Sequence, residues 1–546
     1  MQPSTLAKRG SILLFVVFIL FYFYGLGHLP FVGPDEPRYA QVAREMFLRH
    51  DWVTPTLGGY LWFEKPALLY WMAIAAFKLF GVSEAAARSA GAICGLLTVA
   101  AVFWIGKRTE RSETNQQPAS IGFWSAFIAG TSGGLIAFSR AVSFDIVVTM
   151  TIAWALAFFF AAELEIDGKS RRRLLIGFYF VIGLSLLAKG LVGVVICFGV
   201  IATYYTLRGK APVRSLRRSL MWGLPLSLAV AVIWYGPMFW KHGTLFFDEF
   251  IIKHHFERYA TNKYHHPGAI YYYLLILPLL ALPWSALLLD GVLKAHKAFW
   301  KGSDDNVSRL QTFALAWILL PLIFFSFSSS KLPGYILPVL PAVALMAGSR
   351  LAQLNSESKN NWAITATGAL GLILALALLV FALQWGKIPF RAALIIAVLS
   401  AVAGALALLL RRDRRAGVLV IGATTIVIVL VALSALAPAL ADSDSSKKLI
   451  QVADQRGYAN APLFGLQRDD RSPEFYAAGR VIYGEDHEPV MYDGIGQVIY
   501  ESHVRKETVL FLIPIQDLDS LKQAESLRTD PIANNGRVVI VAVTPL

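Results

Sequence analysis

Two acids and an arginine stand together in Phe31-Val-Gly-Pro-Asp35-Glu36-Pro-Arg38-Tyr39-Ala40, directly after a long apolar run. Pro34 and Pro37 restrict the backbone around them. A carboxylate so placed can orient or deprotonate a nucleophile, or stabilise an oxocarbenium-like centre. The alternative is a solvated loop that happens to be acidic. A second stretch, Trp62-Phe63-Glu64-Lys65-Pro66, offers a compact cation suited to holding a phosphate as a point charge. Its alternative is a local Glu64–Lys65 pair.

Three further stretches belong to the same chemistry. Arg140 and Asp145 lie between two apolar runs, and Lys189 interrupts a third. Charges at membrane depth mark a functional site or a buried pair, here an Arg140–Asp145 pair joining two helices. For Lys189, a snorkelling anchor is an equal reading. Between 253 and 267 four histidines accompany Arg258, whose guanidinium suits bidentate phosphate binding. His265 and His266, with a carboxylate such as Glu64, could hold a divalent metal such as zinc, although adjacent histidines lack the usual ligand spacing and no HExxH occurs. Finally, Ser328-Ser-Ser-Lys331-Leu-Pro-Gly-Tyr335 places Lys331 and Tyr335 within reach of an anionic head group. Its prolines and glycine suggest non-standard backbone beside a watery cavity, against the alternative of an ordinary turn.

The elements that must position these groups are membrane spans. The 546 residues are 56% hydrophobic, above the roughly 45–50% of a soluble domain, and the excess lies in runs long enough to cross a bilayer. A signal peptide would account for one run only. Thirteen spanning helices are expected, near 11–29, 88–106, 120–138, 142–162, 174–188, 190–207, 219–240, 269–290, 311–328, 333–350, 362–383, 389–410 and 416–440. Pro66–Phe80 is excluded, because counting it as a span would put the later basic loops outside. Without it, Lys8 and Arg9, Arg171 to Arg173, Arg214 to Arg218 and Arg411 to Arg415 all fall on one side, which is therefore cytoplasmic. The net charge of +14 is thus topological and does not indicate nucleic acid. Cys94 and Cys197, both in apolar runs, suggest neither a disulfide nor a metal site.

The expected fold is an α-helical polytopic membrane protein. Residues 1–441 form the transmembrane unit, with outer loops at 30–87 and 241–268. Residues 442–546 form a soluble α/β domain on the periplasmic side, with strands expected at Leu463–Leu466, Val481–Tyr483, Thr508–Ile515 and Val538–Val543. Helix-capable stretches at Ser472–Ala478 and Ile515–Glu525 separate them. The carboxylates and the cations Arg38, Lys65, Arg258 and Lys331 then gather outside, where cations can stabilise a departing phosphate.

The Pro-Asp-Glu-Pro-Arg-Tyr-Ala, Phe-Glu-Lys-Pro and Lys-Leu-Pro-Gly-Tyr motifs, with the thirteen-helix outline, resemble the polyprenyl-phosphate-dependent glycosyltransferases of the GT-C superfamily. Within it, the chain is most similar to the bacterial transferases that place 4-amino-4-deoxy-L-arabinose on lipid A. The resemblance implies an undecaprenyl-phosphate donor, a lipid A phosphate acceptor, and an inner-membrane enzyme whose site faces the periplasm. It also implies that Asp35 is the catalytic carboxylate and that Lys65 binds the carrier phosphate. Glu36, Arg140, Asp145 and Lys189 are supporting residues, and phosphate contacts by Arg38, Arg258, Lys331 and Tyr335 follow from their chemistry. A phosphate acceptor is already anionic, so Asp35 would then orient a group or counter positive charge, whereas a hydroxyl acceptor would restore a base role. Two other readings are a relative that glycosylates protein hydroxyls and a transporter without bond-breaking chemistry. Transporters usually show internal repeats, and none is visible here.

Overall fold

The computed structural model describes residues 3–111, 121–250, 268–301, 304–353, 362–385, 389–410, 413–465 and 470–546. The first apolar run forms α1 (Pro3–Phe23). The segment after it contains α2 (Asp35–Leu48), the short hairpin β1–β2 (Thr56–Leu57 and Tyr60–Leu61) and α3 (Leu68–Phe80). Helix α2 buries Tyr39, Val42 and Met46, three of the residues its sequence pattern marks as apolar. Helix α3 has 13 residues, about 20 Å of rise against a hydrocarbon core of about 30 Å. It is thus shorter than a perpendicular crossing needs, and it packs on α2 and on the helix that follows it, Glu84–Arg111.

The helical body continues with α4 (Glu84–Arg111), α5 (Ile121–Gly130), α6 (Gly133–Ser139), α7 (Phe144–Leu164), α8 (Gly168–Lys189), α9 (Leu191–Arg208) and α10 (Arg214–Phe246). Further helices cover Tyr272–Leu280, Ser285–Lys301, Asn306–Ser326, Leu340–Gln353, Trp362–Trp385, Phe390–Leu409 and Arg414–Val431. Among the described residues nine helices are long and apolar enough to cross a membrane, eleven if each of two bent pairs is one span.

The bends replace two helices that the sequence suggests are continuous. Helices α5 and α6 meet at 61°, and Tyr272–Leu280 meets the following helix at 115°. The two breaks lie against each other. Gly133 N donates to Leu282 O at 2.7 Å, and the Trp284 indole N–H donates to Thr131 Oγ1 at 3.1 Å. Backbone released from a helix in a membrane must find partners in the protein; here local turns supply most of them and the Gly133–Leu282 bond ties the two breaks together. A 3-10 turn, Pro333–Val339, opens the helix after the Lys-Leu-Pro-Gly-Tyr motif, giving that motif its non-standard backbone.

The C-terminal segment builds a four-stranded sheet in the order β3 (Leu463–Phe464), β4 (Val509–Pro514), β6 (Val538–Pro545), β5 (Leu527–Asn534). Strand β3 runs parallel to β4, and the other pairs are antiparallel. Alternate residues of β4 and β6 face two separate cores. Leu510, Leu512, Ile540 and Ala542 pack on one side, Phe511, Ile513, Val539 and Val541 on the other. The expected strand at Val481–Tyr483 forms only isolated bridges. Strand β5 is not anticipated from sequence, because Arg528, Asp530 and Pro531 break its apolar pattern; it lies at the sheet edge, with a register shift after Pro531, where proline is tolerated.

Candidate active site

Asp35 and Glu36 are the first two residues of α2, so their charges face the positive end of that helix. Their environments differ. Asp35 is 55% exposed, and its Oδ1 accepts from Arg38 Nη2 at 2.8 Å. Arg38 Nε also donates to Pro34 O at 2.6 Å, which folds the guanidinium back over the helix start, 5.5 Å from the centre of the Trp62 ring. Burial pushes the Arg38 guanidinium down, but Glu64, Tyr39, Asp35 and Glu474 together hold it above its ordinary value. Glu36, in contrast, is locked. Arg88 Nε and Nη2 donate to its two carboxylate oxygens at 2.7 and 2.8 Å, and Val142 N donates at 3.1 Å. Arg88 also donates to the carbonyls of Leu26, Leu29 and Pro30. Both carboxylate oxygens of Glu36 are thus engaged in holding the loop. Arg88, on α4, was not anticipated from sequence.

Lys65 is buried, and its Nζ lies 2.5 Å from Glu64 Oε1. The local pair is therefore present, and it faces Arg38. The hairpin that leads into Trp62–Lys65 is held by Glu45 of α2. The Glu45 carboxylate accepts from Thr56 Oγ1, Gly58 N and Gly59 N at 2.5, 2.7 and 3.2 Å. Gly58 has φ +62, and a Cβ there would lie 2.2 Å from the Tyr483 ring.

Asp145 and Lys189 form an ion pair between the start of α7 and the end of α8. The alternative of an Arg140–Asp145 pair is thus not realised. Arg140 instead donates to the carbonyls of Phe21, Tyr22 and Tyr24, satisfying groups left unpaired at the end of α1. Lys189 Nζ stands 4.8 Å over the Tyr335 ring. Gly334 abuts Asp145 so closely that a Cβ would fall 2.0 Å from Asp145 Oδ2. The Lys-Leu-Pro-Gly-Tyr turn is thereby seated on the Asp145–Lys189 pair, and Phe144, beside Asp145, packs on Tyr39 and Tyr70 at 5.0 and 5.3 Å. One wall of aromatic rings joins the two charged groups. Lys331 is buried, and its Nζ donates to Ser328 O at 2.5 Å.

Arg258, His265 and His266 lie outside the described residues. Of the metal-ligand set, Glu64 alone is described, and among the described residues no three His, Cys, Asp or Glu side chains gather in a metal-binding group.

The C-terminal segment also reaches this site. Phe31 N donates to Tyr476 Oη at 2.7 Å, and Arg44 Nη1 donates to Phe475 O at 3.0 Å. Arg471 Nε and Nη2 grip the Glu474 carboxylate at 2.9 and 3.1 Å, and Tyr483 Oη adds a third bond at 3.2 Å. Burial pushes the Glu474 carboxyl up, while Arg471 and Arg38 pull it back. Nothing in the local sequence marks Glu474, because its significance depends on docking against α2.

A body rich in helices apolar enough to cross a membrane, with carboxylates and phosphate-competent cations gathered together, is the arrangement that the resemblance to GT-C glycosyltransferases implies. The comparisons agree. Residues 64–239 match the family model described as dolichyl-phosphate-mannose-protein mannosyltransferase. The chain is 29% identical over 398 residues to the undecaprenyl phosphate-alpha-4-amino-4-deoxy-L-arabinose arabinosyl transferase of Yersinia enterocolitica, covering 70% of this chain and 66% of that protein. It is 30% identical over 382 residues to the protein of the same name from Aeromonas hydrophila, covering 67% and 64%. The matched stretch thus spans just under two thirds of these relatives' length. The crystal structure of ArnT from Cupriavidus metallidurans bound to undecaprenyl phosphate superposes with a TM-score of 0.78 at 25% identity, covering 98% of each chain. In sequence and fold the chain is similar to these lipid-linked-donor glycosyltransferases.

Proposed function

We propose that the protein transfers 4-amino-4-deoxy-L-arabinose from undecaprenyl phosphate to a phosphate of lipid A, at the periplasmic face of the bacterial inner membrane. The observation that carries this reading is the rim cluster of Asp35, Arg38, Glu64 and Lys65, with Asp35 open to solvent and its companions drawn around it. Lys65 holds the carrier phosphate and, with Arg38 and Lys331, offsets the charge that grows on it as the sugar–phosphate bond breaks. Asp35 faces the anomeric carbon and counters its developing positive charge. An acceptor phosphate oxygen is already ionised, so Asp35 need not remove a proton from it. The likeness in sequence and fold to the aminoarabinose transferases supports this donor and acceptor.

In this reading each bent helix pair is one span, and α1 and α8 also cross, which gives the thirteen spans expected from the basic loops. The first loop and the C-terminal unit then lie in the periplasm. A divalent metal such as zinc, held by Glu64 with His265 and His266, is proposed as a companion. It predicts bound zinc in the purified protein that Glu64→Gln removes, and a metal content unchanged by that substitution refutes it.

Mass spectrometry of lipid A from cells with and without the gene tests the function. Loss of the aminosugar adduct, with increased sensitivity to polymyxin-like cationic peptides, is expected because the modification lowers the negative charge of lipid A. A second reading, transfer to protein hydroxyls, is favoured by the description of the matching family model. Unchanged lipid A together with loss of a labelled glycoprotein would select it.

A further inference from the structure

We propose that Glu45 is a positioning residue for transfer: by tying the β1–β2 hairpin to α2, it sets the end of that helix that carries Asp35 against the phosphate-binding Lys65. The inference rests on the glycosyl-transfer reading above. Hydrogen bonds and ring contacts run without a gap from Glu45 to the charged cluster.

At one end the Glu45 carboxylate holds the hairpin. Oε2 accepts from Thr56 Oγ1 and Gly59 N, and Oε1 accepts from Gly58 N and, at 3.0 Å, from Gln41 Nε2 of its own helix. The two strands have two residues each, and so short a hairpin is marginal without outside support. Thr56 pairs with Leu61, and Trp62 N donates to Pro55 O at 3.0 Å, so the ladder carries the hold on β1 across to Trp62. Glu64 and Lys65 follow directly. At the other end Trp62 returns to α2. Its ring lies 5.5 Å from the Arg38 guanidinium, which itself donates to Asp35 at 2.8 Å. The strand is therefore fastened to α2 at two levels, Arg38 and Glu45, about 10 Å apart along the helix axis. One fastening would leave the strand free to swing about it; two fix its direction. Tyr483 closes the same turn from the opposite side, since a Cβ on Gly58 would fall 2.2 Å from its ring, and Tyr60 stacks on His487 at 4.1 Å. Asp35 and Arg38 ride on the helix and Lys65 on the strand. The group that meets the sugar and the group that holds the phosphate are thus spaced by a tie that Glu45 makes at the turn, away from Lys65. Two groups acting on one breaking bond tolerate little error, since a misplacement of about 1 Å can cost about 100-fold.

The test uses the full-length protein in detergent or nanodiscs, with kcat expressed per donor-binding site, counted with radiolabelled undecaprenyl phosphate. Glu45→Gln keeps the size of the side chain but turns an amide NH2 toward hydrogen-bond donors that need an acceptor. It should lower kcat per site about 10-fold, while KM for the sugar donor changes less than about twofold, since Lys65 still holds the phosphate. Thr56→Val is isosteric and removes only the hydroxyl that donates to Glu45. It keeps the test decisive if Glu45→Gln does not fold: a fall in kcat per site of about threefold supports the proposal, and no change refutes it. A purely structural role predicts fewer binding sites with unchanged kcat per site, and that result overturns the proposal. A rise in KM that accounts for the whole loss of rate overturns it too. The two substitutions break the same tie, so in a double-mutant cycle their effects should be less than additive, and strict additivity also refutes it. Wild-type protein that transfers no sugar to lipid A would instead bring down the functional reading, independently of these variants.

Discussion

Asp35 and Glu36 are adjacent in the chain, yet the base of the first loop and its rim treat them in opposite ways. At the base, Glu36 and Arg88 are 12% and 5% exposed, and the carboxylate is gripped at both oxygens while Arg88 spends its remaining donors on three carbonyls. At the rim, Asp35 and Arg38 are 55% and 18% exposed, joined through one carboxylate oxygen. The same pair of residue types is a buried fastener in one place and an open, solvent-facing pair in the other. The difference is the number of hydrogen bonds left over for a substrate. A fully satisfied buried pair has none, so its removal is felt as lost stability; an open pair contributes little to stability and keeps its field for the reaction.

That contrast can be broken experimentally. The largest effect is expected for Asp35→Asn, which should reduce transfer by about 10³-fold, roughly 4 kcal/mol in the barrier. Its thermal unfolding should stay within about 0.5 kcal/mol of the parent protein, and retained activity in a radiolabelled-donor assay would remove Asp35 from the mechanism. Arg88→Ala is the mirror image. It leaves Glu36 charged and buried beside three unpaired carbonyls, and should cost about 3 kcal/mol of stability, read as a lowered melting temperature and poor recovery from membranes. A normal melting curve would show that the base is no fastener. Lys65→Gln should weaken undecaprenyl phosphate binding about 30-fold, close to 2 kcal/mol; unaltered binding would place the carrier phosphate elsewhere. The smallest effect sharpens the rim. Gly334→Ala pushes a methyl group into the Asp145 carboxylate and should slow transfer about tenfold, roughly 1.4 kcal/mol, without changing donor affinity. An unimpaired rate would separate the Asp145–Lys189 pair from the chemistry.

The charged motifs were legible because their members are neighbours in sequence and interrupt apolar runs, so Asp35, Arg38, Glu64, Lys65, Lys331 and Tyr335 all stand out before any fold is known. The partners that define their roles were not. Arg88 lies 52 residues from Glu36 and reads as an ordinary charge at the start of a span. Asp145 chose Lys189, 44 residues away, over the nearer Arg140, because α8 ends against the start of α7 while Arg140 is drawn to the end of α1. The breaks at Thr131-Ser132 and Ala281–Trp284 were hidden because apolar composition continues across them; local turn bonds and the Gly133–Leu282 bond between the breaks satisfy their backbone. In the C-terminal segment the alternating apolar residues of β4 and β6 could be read directly, whereas β5 could not, since an edge strand tolerates the charges and proline that its sequence carries.

The hydrogen bond from Phe31 to Tyr476 joins residues 445 positions apart. During synthesis the N-terminal motif is therefore in place long before the segment that braces it exists. A ribosome-bound chain that has already inserted most of its helices still lacks that brace.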